Sequence, residues 1–184
     1  MPLTLVKETG AGLVDANAYA SVADGDTFHD GHLYATAWTG ATADQKSAAL
    51  VMASRLIDAE YQFNGLRSQS AQALQWPRVN CPDPDKAPIP VLTSLLMYDP
   101  FVPFSLVPKA LVQATCEMAR ELLNADRTAT PVGEGLKYHN ETGNQTGYDK
   151  ADRRPIISAV AQALLIKFGS LMKSKSGAVR LVRG

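Results

Sequence analysis

The chain has 184 residues, of which 46% are hydrophobic and 20% are charged. It is long enough for one hydrophobic core, and its composition argues against wholesale disorder. It has no run of 18 apolar residues, and its first residues show no basic stretch followed by an apolar one, so neither a membrane helix nor a secretory signal is predicted. Cys81 and Cys116 lack metal-ligand spacing and are expected to be reduced thiols. We therefore expect one domain, made and kept in the cytosol, with no metal or other cofactor.

The net charge of zero hides a polarity along the chain. Residues 1–104 carry 6 Lys or Arg against 11 Asp or Glu, whereas residues 105–184 carry 12 against 7. The last fifteen residues contain four basic side chains and no acid. This asymmetry predicts either head-to-tail self-association or a partner for the tail, and the alternative is a solvated end that aids solubility.

The first elements in chain order are an arm and a helix. Residues 1–20 are predicted to form an extended N-terminal arm, because glycines interrupt any helical pattern there. A helix is predicted to begin near Ser21 and to end around residues 31–33, since Ser21 and Asp24 have the spacing of a capping box.

The second predicted helix is the strongest in the chain. Thr42 and Gln45 have capping-box spacing, and Gly65 follows the end of the apolar pattern. Its apolar positions recur every three or four residues, which indicates one buried face. These positions are Ala49, Leu50, Ala53, Leu56, Ile57 and Tyr61.

Prolines announce the two remaining helices. Pro108 suits the first turn of a helix through "PKALVQATCEMARELLNAD", and Pro155 precedes "IISAVAQALLIKFG", which Gly169 is expected to stop. Both segments carry an apolar stripe that needs a partner. Four helices of this kind predict a mainly α fold, a small four-helix bundle.

Two long connections interrupt the helical domain, which is predicted to span residues 21–169. The loop at 62–107 is dense in proline, which excludes a helix or central strand, and its apolar residues must pack on this chain or on a neighbouring subunit. The loop at 126–154 is rich in Gly and Asn, with a short β-hairpin predicted around "GLKYH" and "TGYDK". Residues 170–184 are predicted to form a basic C-terminal arm.

The sequence offers little for catalysis. His29 and His32 are three residues apart on a predicted helix, so they could form a metal pair or part of a polar helix face. The helix face is favoured because no third ligand is recognisable. No glycine-rich phosphate loop and no nucleophile elbow is present. The carboxylates are scattered instead of paired, and we predict that the protein is not an enzyme.

Nucleic-acid binding has some support from residues near the second loop. Tyr138, His139, Tyr148, Arg153 and Arg154 combine aromatic rings with positive charge, and the tail is basic. However, acids dilute the basic residues elsewhere, and zero net charge disfavours tight general binding. A channel through which DNA merely passes would not need a strongly basic surface.

The segment "QALQWPR", residues 72–78, places an aromatic ring, a proline and an arginine side by side. We predict a structural corner, in which Trp76 packs against the second or third helix and Pro77 fixes the exit of the chain. Arg78 would then reach an acid or a carbonyl of its own or the next subunit. The alternative is an interface or DNA-facing role for Arg78.

Four segments follow one another in a distinctive order: "NAYASVADGDTF", "TAWTGATADQKSAALVMASRLIDAEYQFNGLRS", "QALQWPR" and "VPKALVQATCEMARELL". Their order and spacing resemble the head-to-tail connector proteins of tailed bacteriophages, also called adaptor or head-completion proteins. Some relatives are labelled DnaT-like single-stranded DNA-binding proteins. The resemblance covers roughly residues 15–125, with a looser match in the last helix and "VRLVRG". This sequence departs from the family's pattern in two places. The stretch 81–106 is longer and richer in proline, and the segment after Gly135 lacks the clear strand pair that relatives show.

The resemblance implies a structural protein of the virion neck. Such proteins form a ring, commonly of twelve copies, that docks to the portal protein on one side and to tail or neck proteins on the other. DNA passes through the lumen without sequence-specific binding, and no membrane is involved. The alternative function is that of a single-stranded DNA-binding accessory protein. The expected portal-binding arm contains Lys173, Lys175, Val179, Arg180, Leu181, Val182 and Arg183.

Overall fold

A computed structural model describes residues 3–86, 101–129, 138–141, 144–147 and 155–172. Five helices and six short strands occur in these ranges. The helices are α1 (Val22–His29), α2 (Thr36–Thr39), α3 (Ala43–Glu60), α4 (Lys109–Asn124) and α5 (Ala159–Leu165). The strands are β1 (Tyr61–Phe63), β2 (Leu66–Arg67), β3 (Arg78–Val79), β4 (Tyr138–Glu141), β5 (Asn144–Gly147) and β6 (Gly169–Leu171). The fold is therefore mixed, mainly helical with small antiparallel sheets. It is not clearly the four-helix bundle that the sequence predicted.

The predicted capping boxes are confirmed at the first two long helices. The Ser21 hydroxyl accepts a hydrogen bond from the Asp24 N–H, and the Asp24 carboxylate accepts one from the Ser21 N–H at 2.7 Å. Thr42 and Gln45 make the same reciprocal pair at the start of α3. Because each box satisfies two donors of its helix end, both helices begin at the expected residue.

The C-terminal helix is shorter than the predicted span of residues 156–168. Ser158 caps it by accepting a hydrogen bond from the Ala161 N–H, and the helix ends at Leu165. Gly169 then begins a strand, which the proposed helix stop did not anticipate. A Cβ on Gly169 would lie 2.8 Å from the Phe63 Cα, so only glycine allows the backbones to come this close.

The structure contains three two-stranded antiparallel sheets in its described residues, and the sequence predicted only one of them. β1 pairs with β6, with Tyr61 opposite Leu171, and β2 pairs with β3. Gly65, predicted to follow the end of the helix, instead adopts φ +73° in the turn between β1 and β2, because α3 runs directly into β1. The third sheet, β4 with β5, agrees with the hairpin predicted in the Gly- and Asn-rich loop. The segment after Gly135 therefore contains a strand pair, and the departure from the connector pattern expected there is wrong.

The N-terminal segment, predicted to be an extended arm, packs into the core. The Glu8 N–H donates to the Ala18 carbonyl at 2.9 Å, and the chain thereby folds back on itself before α1. Ala18, Tyr19 and Ala20 are completely buried. Residues 3–20 are thus part of the helical body.

The core lies where α3, α4 and α5 pack together with the sheet of β1 and β6. Arg127 fastens α4 to the start of α5: its guanidinium donates to the carbonyls of Pro155 and Ile156 and pairs with Glu121 at 2.9 Å. In the described parts of the chain, none of the helices has both the length and the apolar character of a membrane span. The largest fully buried side chains include Trp38, Trp76, Tyr19, Leu50 and Ile57.

Several sequence predictions fall outside the described residues. They concern the proline-rich stretch 87–100 and the side chains of the second loop and the C-terminal tail. The residues in question are Tyr148, Arg153 and Arg154, and Lys173, Lys175, Val179, Arg180, Leu181, Val182 and Arg183.

Candidate functional site

The aromatic ring of the "QALQWPR" segment lies in the core. Trp76 is 0% exposed, and its ring meets those of Phe63 and Phe168 edge-on, with centroids 5.9 and 6.1 Å away. The peptide bond between Trp76 and Pro77 is cis. A ring enclosed on both sides in this way has no face left for stacking on a nucleic-acid base.

The Arg78 guanidinium donates hydrogen bonds to backbone carbonyls and does not pair with an acid among the described residues. Its Nε donates to the Asn64 carbonyl at 2.7 Å, and its Nη2 donates to the Gly65 carbonyl at 2.6 Å. Nη1 donates to the carbonyl of Gln75 at 3.0 Å. Arg78 is only 5% exposed, so these bonds join the β1–β2 turn to the corner and leave little of Arg78 for DNA.

Gln72 fixes the path of the same segment from within. Its amide nitrogen donates to the carbonyls of Leu74 and Pro77 at 2.8 and 3.1 Å. Its amide oxygen accepts from the Ser68 hydroxyl and the Gln69 N–H. A buried glutamine with all these partners explains why the corner keeps one shape.

A buried carboxylate connects the corner to the N-terminal segment. The Tyr19 hydroxyl donates to Asp58 Oδ1 at 2.5 Å, and the Gln75 N–H donates to Asp58 Oδ2 at 3.0 Å. The Trp76 N–H in turn donates to the Tyr19 oxygen at 3.2 Å. We call Tyr19, Asp58, Gln75 and Trp76 the buried hub. It unites three of the segments that carry the family resemblance.

The electrostatics of the hub follow from burial. Desolvation raises the pKa of Asp58 to about 6, and the hydrogen bonds from Tyr19 and Gln75 offset only part of this. The pKa of Tyr19 is raised well above its ordinary value by burial and by the neighbouring Asp58. Burial also raises the pKa of the Cys81 thiol, so Cys81 is not an activated nucleophile.

The rings of His29 and His32, the two residues of the possible metal pair, meet edge-on with centroids 5.9 Å apart, and each ring has its own hydrogen-bond partner. His29 is 2% exposed, and its Nε2 lies 3.1 Å from the Cys116 carbonyl, while its ring packs on Trp38. His32 Nδ1 accepts a hydrogen bond from the Tyr34 N–H. Within the described ranges no three His, Cys, Asp or Glu side chains are grouped so as to hold a metal ion.

A surface groove lies between α1 and the start of α4. It has a volume of about 630 Å³, and we call it the α1–α4 groove. Its apolar lining is continuous with Leu106, which is 48% exposed, and the Lys7–Asp24 ion pair borders it. The lining residues are Lys7, Asp24, Thr27, Phe28, Leu106, Val107, Lys109, Val112, Gln113 and Cys116. The sequence predicts neither this groove nor the buried hub, although Tyr19 and Asp58 lie in segments that carry the resemblance.

The comparisons with known proteins give one result. A family described as "Putative DnaT-like ssDNA binding protein" matches residues 3–184. The chain therefore belongs to this family. No curated protein and no solved structure matches it. This description agrees with the DnaT-like label that some members of the connector family carry.

Proposed function

We propose that the protein is a structural component of a tailed-phage virion, a head-to-tail connector that forms a ring on the portal protein. One observation carries the proposal: the segments that resemble connectors converge in the buried hub and at Arg78. Residues 57 positions apart, such as Tyr19 and Trp76, are hydrogen-bonded there. Agreement at positions with such contacts supports a shared fold better than agreement at isolated helix positions would.

The role of these residues also limits what the protein does. Tyr19 and Trp76 of the hub are fully buried, and Asp58 and Gln75 are half-buried and hydrogen-bonded within it, so these side chains offer little surface to a substrate or a nucleic acid. Partners must then be bound by exposed surfaces. Residues 1–104 carry 6 Lys or Arg against 11 Asp or Glu, and residues 105–184 carry 12 against 7. This separation of charge suits contacts between unlike surfaces of neighbouring subunits.

The test is assembly on the portal. Native mass spectrometry of the purified chain, alone and with its portal protein, should show several copies bound to each portal ring. A mixture with the major capsid protein is the matched control and should show no complex. A chain that stays monomeric and never joins the portal would contradict the proposal.

The family description favours a second candidate function, binding of single-stranded DNA. The described residues give it limited support, because Trp76 and Trp38 are buried and five cations are engaged in ion pairs. These cations are Lys7, Lys46, Lys86, Arg120 and Arg127. The residues proposed for it are Tyr138, Tyr148, Arg153, Arg154 and the basic tail.

Titration of fluorescent oligonucleotides separates the two functions. A DNA-binding protein should bind at micromolar concentration or better, with an affinity that falls steeply as salt increases. Replacing Arg153 and Arg154 by Gln should then reduce the salt dependence, whereas replacing the exposed Arg55 should not. Absence of binding at low salt would remove this candidate and leave the portal experiment unaffected.

A further inference from the structure

An exposed apolar turn follows α1. Leu33 and Tyr34 are 89% and 77% exposed, the highest values among the large apolar side chains of the described residues. The turn has a defined shape, because the Tyr34 N–H donates to His32 Nδ1 at 3.0 Å and the two rings meet edge-on. Two large apolar side chains held out in solvent on one ordered turn are typical of a contact surface.

The α1–α4 groove has the properties of an acceptor for such a turn. Phe28, Val107 and Val112 supply an apolar lining, and Phe104 nearby is 66% exposed. The volume of about 630 Å³ lies within the range of about 300–1,000 Å³ that is usual for binding clefts. The groove therefore has room for apolar side chains of a partner.

The charges beside the two surfaces are complementary. Asp30, at the start of the turn, is exposed, and Lys109, at the edge of the groove, is exposed as well. Neither forms an ion pair within the described ranges. Lys109 begins α4, whose first turn has no side-chain cap from Pro108, so the helix dipole adds positive potential at this point.

We infer that the turn Asp30–Tyr34 of one copy docks into the α1–α4 groove of a second copy. Leu33 and Tyr34 enter the apolar lining, and Asp30 pairs with Lys109 of the other copy. This inference rests on the proposed function, since it names the surface by which copies of a ring protein join. It adds an occupant for the groove and a pair of residues whose contact is measurable.

Charge reversal tests the pairing directly. Asp30→Lys and Lys109→Glu should each weaken self-association of the full chain by about tenfold or more in sedimentation velocity, and the double variant should recover most of the wild-type affinity. Both substitutions place the new charge favourably for the local helix dipole, since Asp30 follows the end of α1 and Lys109 begins α4. Loss of association would then not be caused by loss of folding, and circular dichroism melts check this.

Asp15→Lys and Lys167→Glu are matched controls on exposed residues and should leave the association unchanged. Leu33→Ser should weaken it independently of salt, because it removes apolar contact instead of charge. If Asp30→Lys and Lys109→Glu self-associate as well as wild type does, the inference is overturned. Portal binding is tested separately by native mass spectrometry, so that result does not decide the proposed function. If Lys109→Glu abolishes portal binding and leaves self-association unchanged, the groove is a portal site and the inference is overturned.

Discussion

The Tyr19 hydroxyl donates a 2.5 Å hydrogen bond to the Asp58 carboxylate, across 39 residues of sequence. The same tyrosine oxygen accepts the Trp76 N–H, so one side chain links the N-terminal segment, α3 and the corner. No Lys or Arg forms an ion pair with Asp58 within the described ranges. The carboxylate is therefore held by neutral donors, which compensate a buried charge less well than a cation does.

The pH dependence of stability should reveal this buried carboxylate. The pKa of Asp58 rises from 3.8 to about 6 on folding, so between these values the folded chain binds more protons than the unfolded chain. The contribution of Asp58 is then fully present below pH 3.8 and is lost as the pH rises through 6. The advantage of wild type over Asp58→Asn, which does not titrate, should shrink by about 2–3 kcal/mol between pH 4 and pH 7.

Urea unfolding at several pH values measures that difference. Tyr19→Phe provides a second readout, because the hydrogen bond from Tyr19 lowers the pKa of Asp58 and its loss should move the window to higher pH. Wild type and Asp58→Asn with parallel pH profiles would show that the carboxylate is not held as described.

The two buried tryptophans should respond differently to replacement by phenylalanine. Trp38 Nε1 donates to Asp26 at 2.9 Å, whereas Trp76 Nε1 has no partner among the described residues. Trp38→Phe loses a hydrogen bond as well as ring volume, while Trp76→Phe removes an unsatisfied donor along with the volume. We expect a loss of about 2–4 kcal/mol for Trp38→Phe and less than about 1.5 kcal/mol for Trp76→Phe in thermal or urea unfolding. Equal losses would contradict the assignment of these two indole contacts.

The elements that could be predicted from the sequence are those fixed by neighbours in the chain. The capping boxes at Ser21 and Thr42 and the start of α4 depend on residues within one turn, and each was located correctly. The pairing of β1 with β6 joins residues more than 100 positions apart, so no local pattern announces it. For the same reason the end of α5 was misplaced, because Gly169 is needed by the strand.

The candidate site shows the same division. Trp76 and Arg78 were expected at a corner because of the residue types next to Pro77, but their partners, Phe168 and the carbonyls of the β1–β2 turn, come from folding. Glu8 gave no signal at all: a glutamate in a glycine-rich segment reads as exposed, yet it is 0% exposed. Its burial depends on backbone donors whose direction the sequence does not reveal.

Arg78→Lys should destabilise the corner although the charge is kept. The guanidinium reaches the carbonyls of Asn64, Gly65 and Gln75 in three directions, and a single ammonium group cannot replace this fork. Buried carbonyls left without donors cost about 1–3 kcal/mol each, so we expect a loss of about 2–4 kcal/mol in urea unfolding. Arg67, the strand partner of Arg78, is exposed, and Arg67→Lys is the control that should change stability by less than about 0.5 kcal/mol.

Glu8 should be essential for the fold of the N-terminal segment. Its carboxylate accepts the N–H groups of Gly10, Gly12 and Leu13 at 2.8, 3.0 and 2.8 Å. In Glu8→Gln an amide nitrogen must face one of these donors, so we expect a loss of about 2–3 kcal/mol. Hydrogen exchange at these three amides should accelerate more than exchange in α3. Unchanged protection in the variant would mean that the carboxylate does not hold the segment.

Deleting residues 173–184 should abolish portal binding without affecting the fold. The deletion begins after Met172, because Gly169–Leu171 forms β6 and the Met172 N–H donates to the Glu60 carbonyl at 2.7 Å. The melting temperature should therefore stay close to that of wild type, while an analogous deletion from residue 169 should lower it by removing β6.

Two full-length variants separate charge from apolar anchoring: one replaces Lys173, Lys175, Arg180 and Arg183 by Gln, and the other replaces Val179, Leu181 and Val182 by Ser. At high salt the charges are screened and contribute little to binding. If the Ser variant then fails to bind the portal while the Gln variant still binds, the anchor is apolar. Normal portal binding by the deleted chain would show that another surface docks.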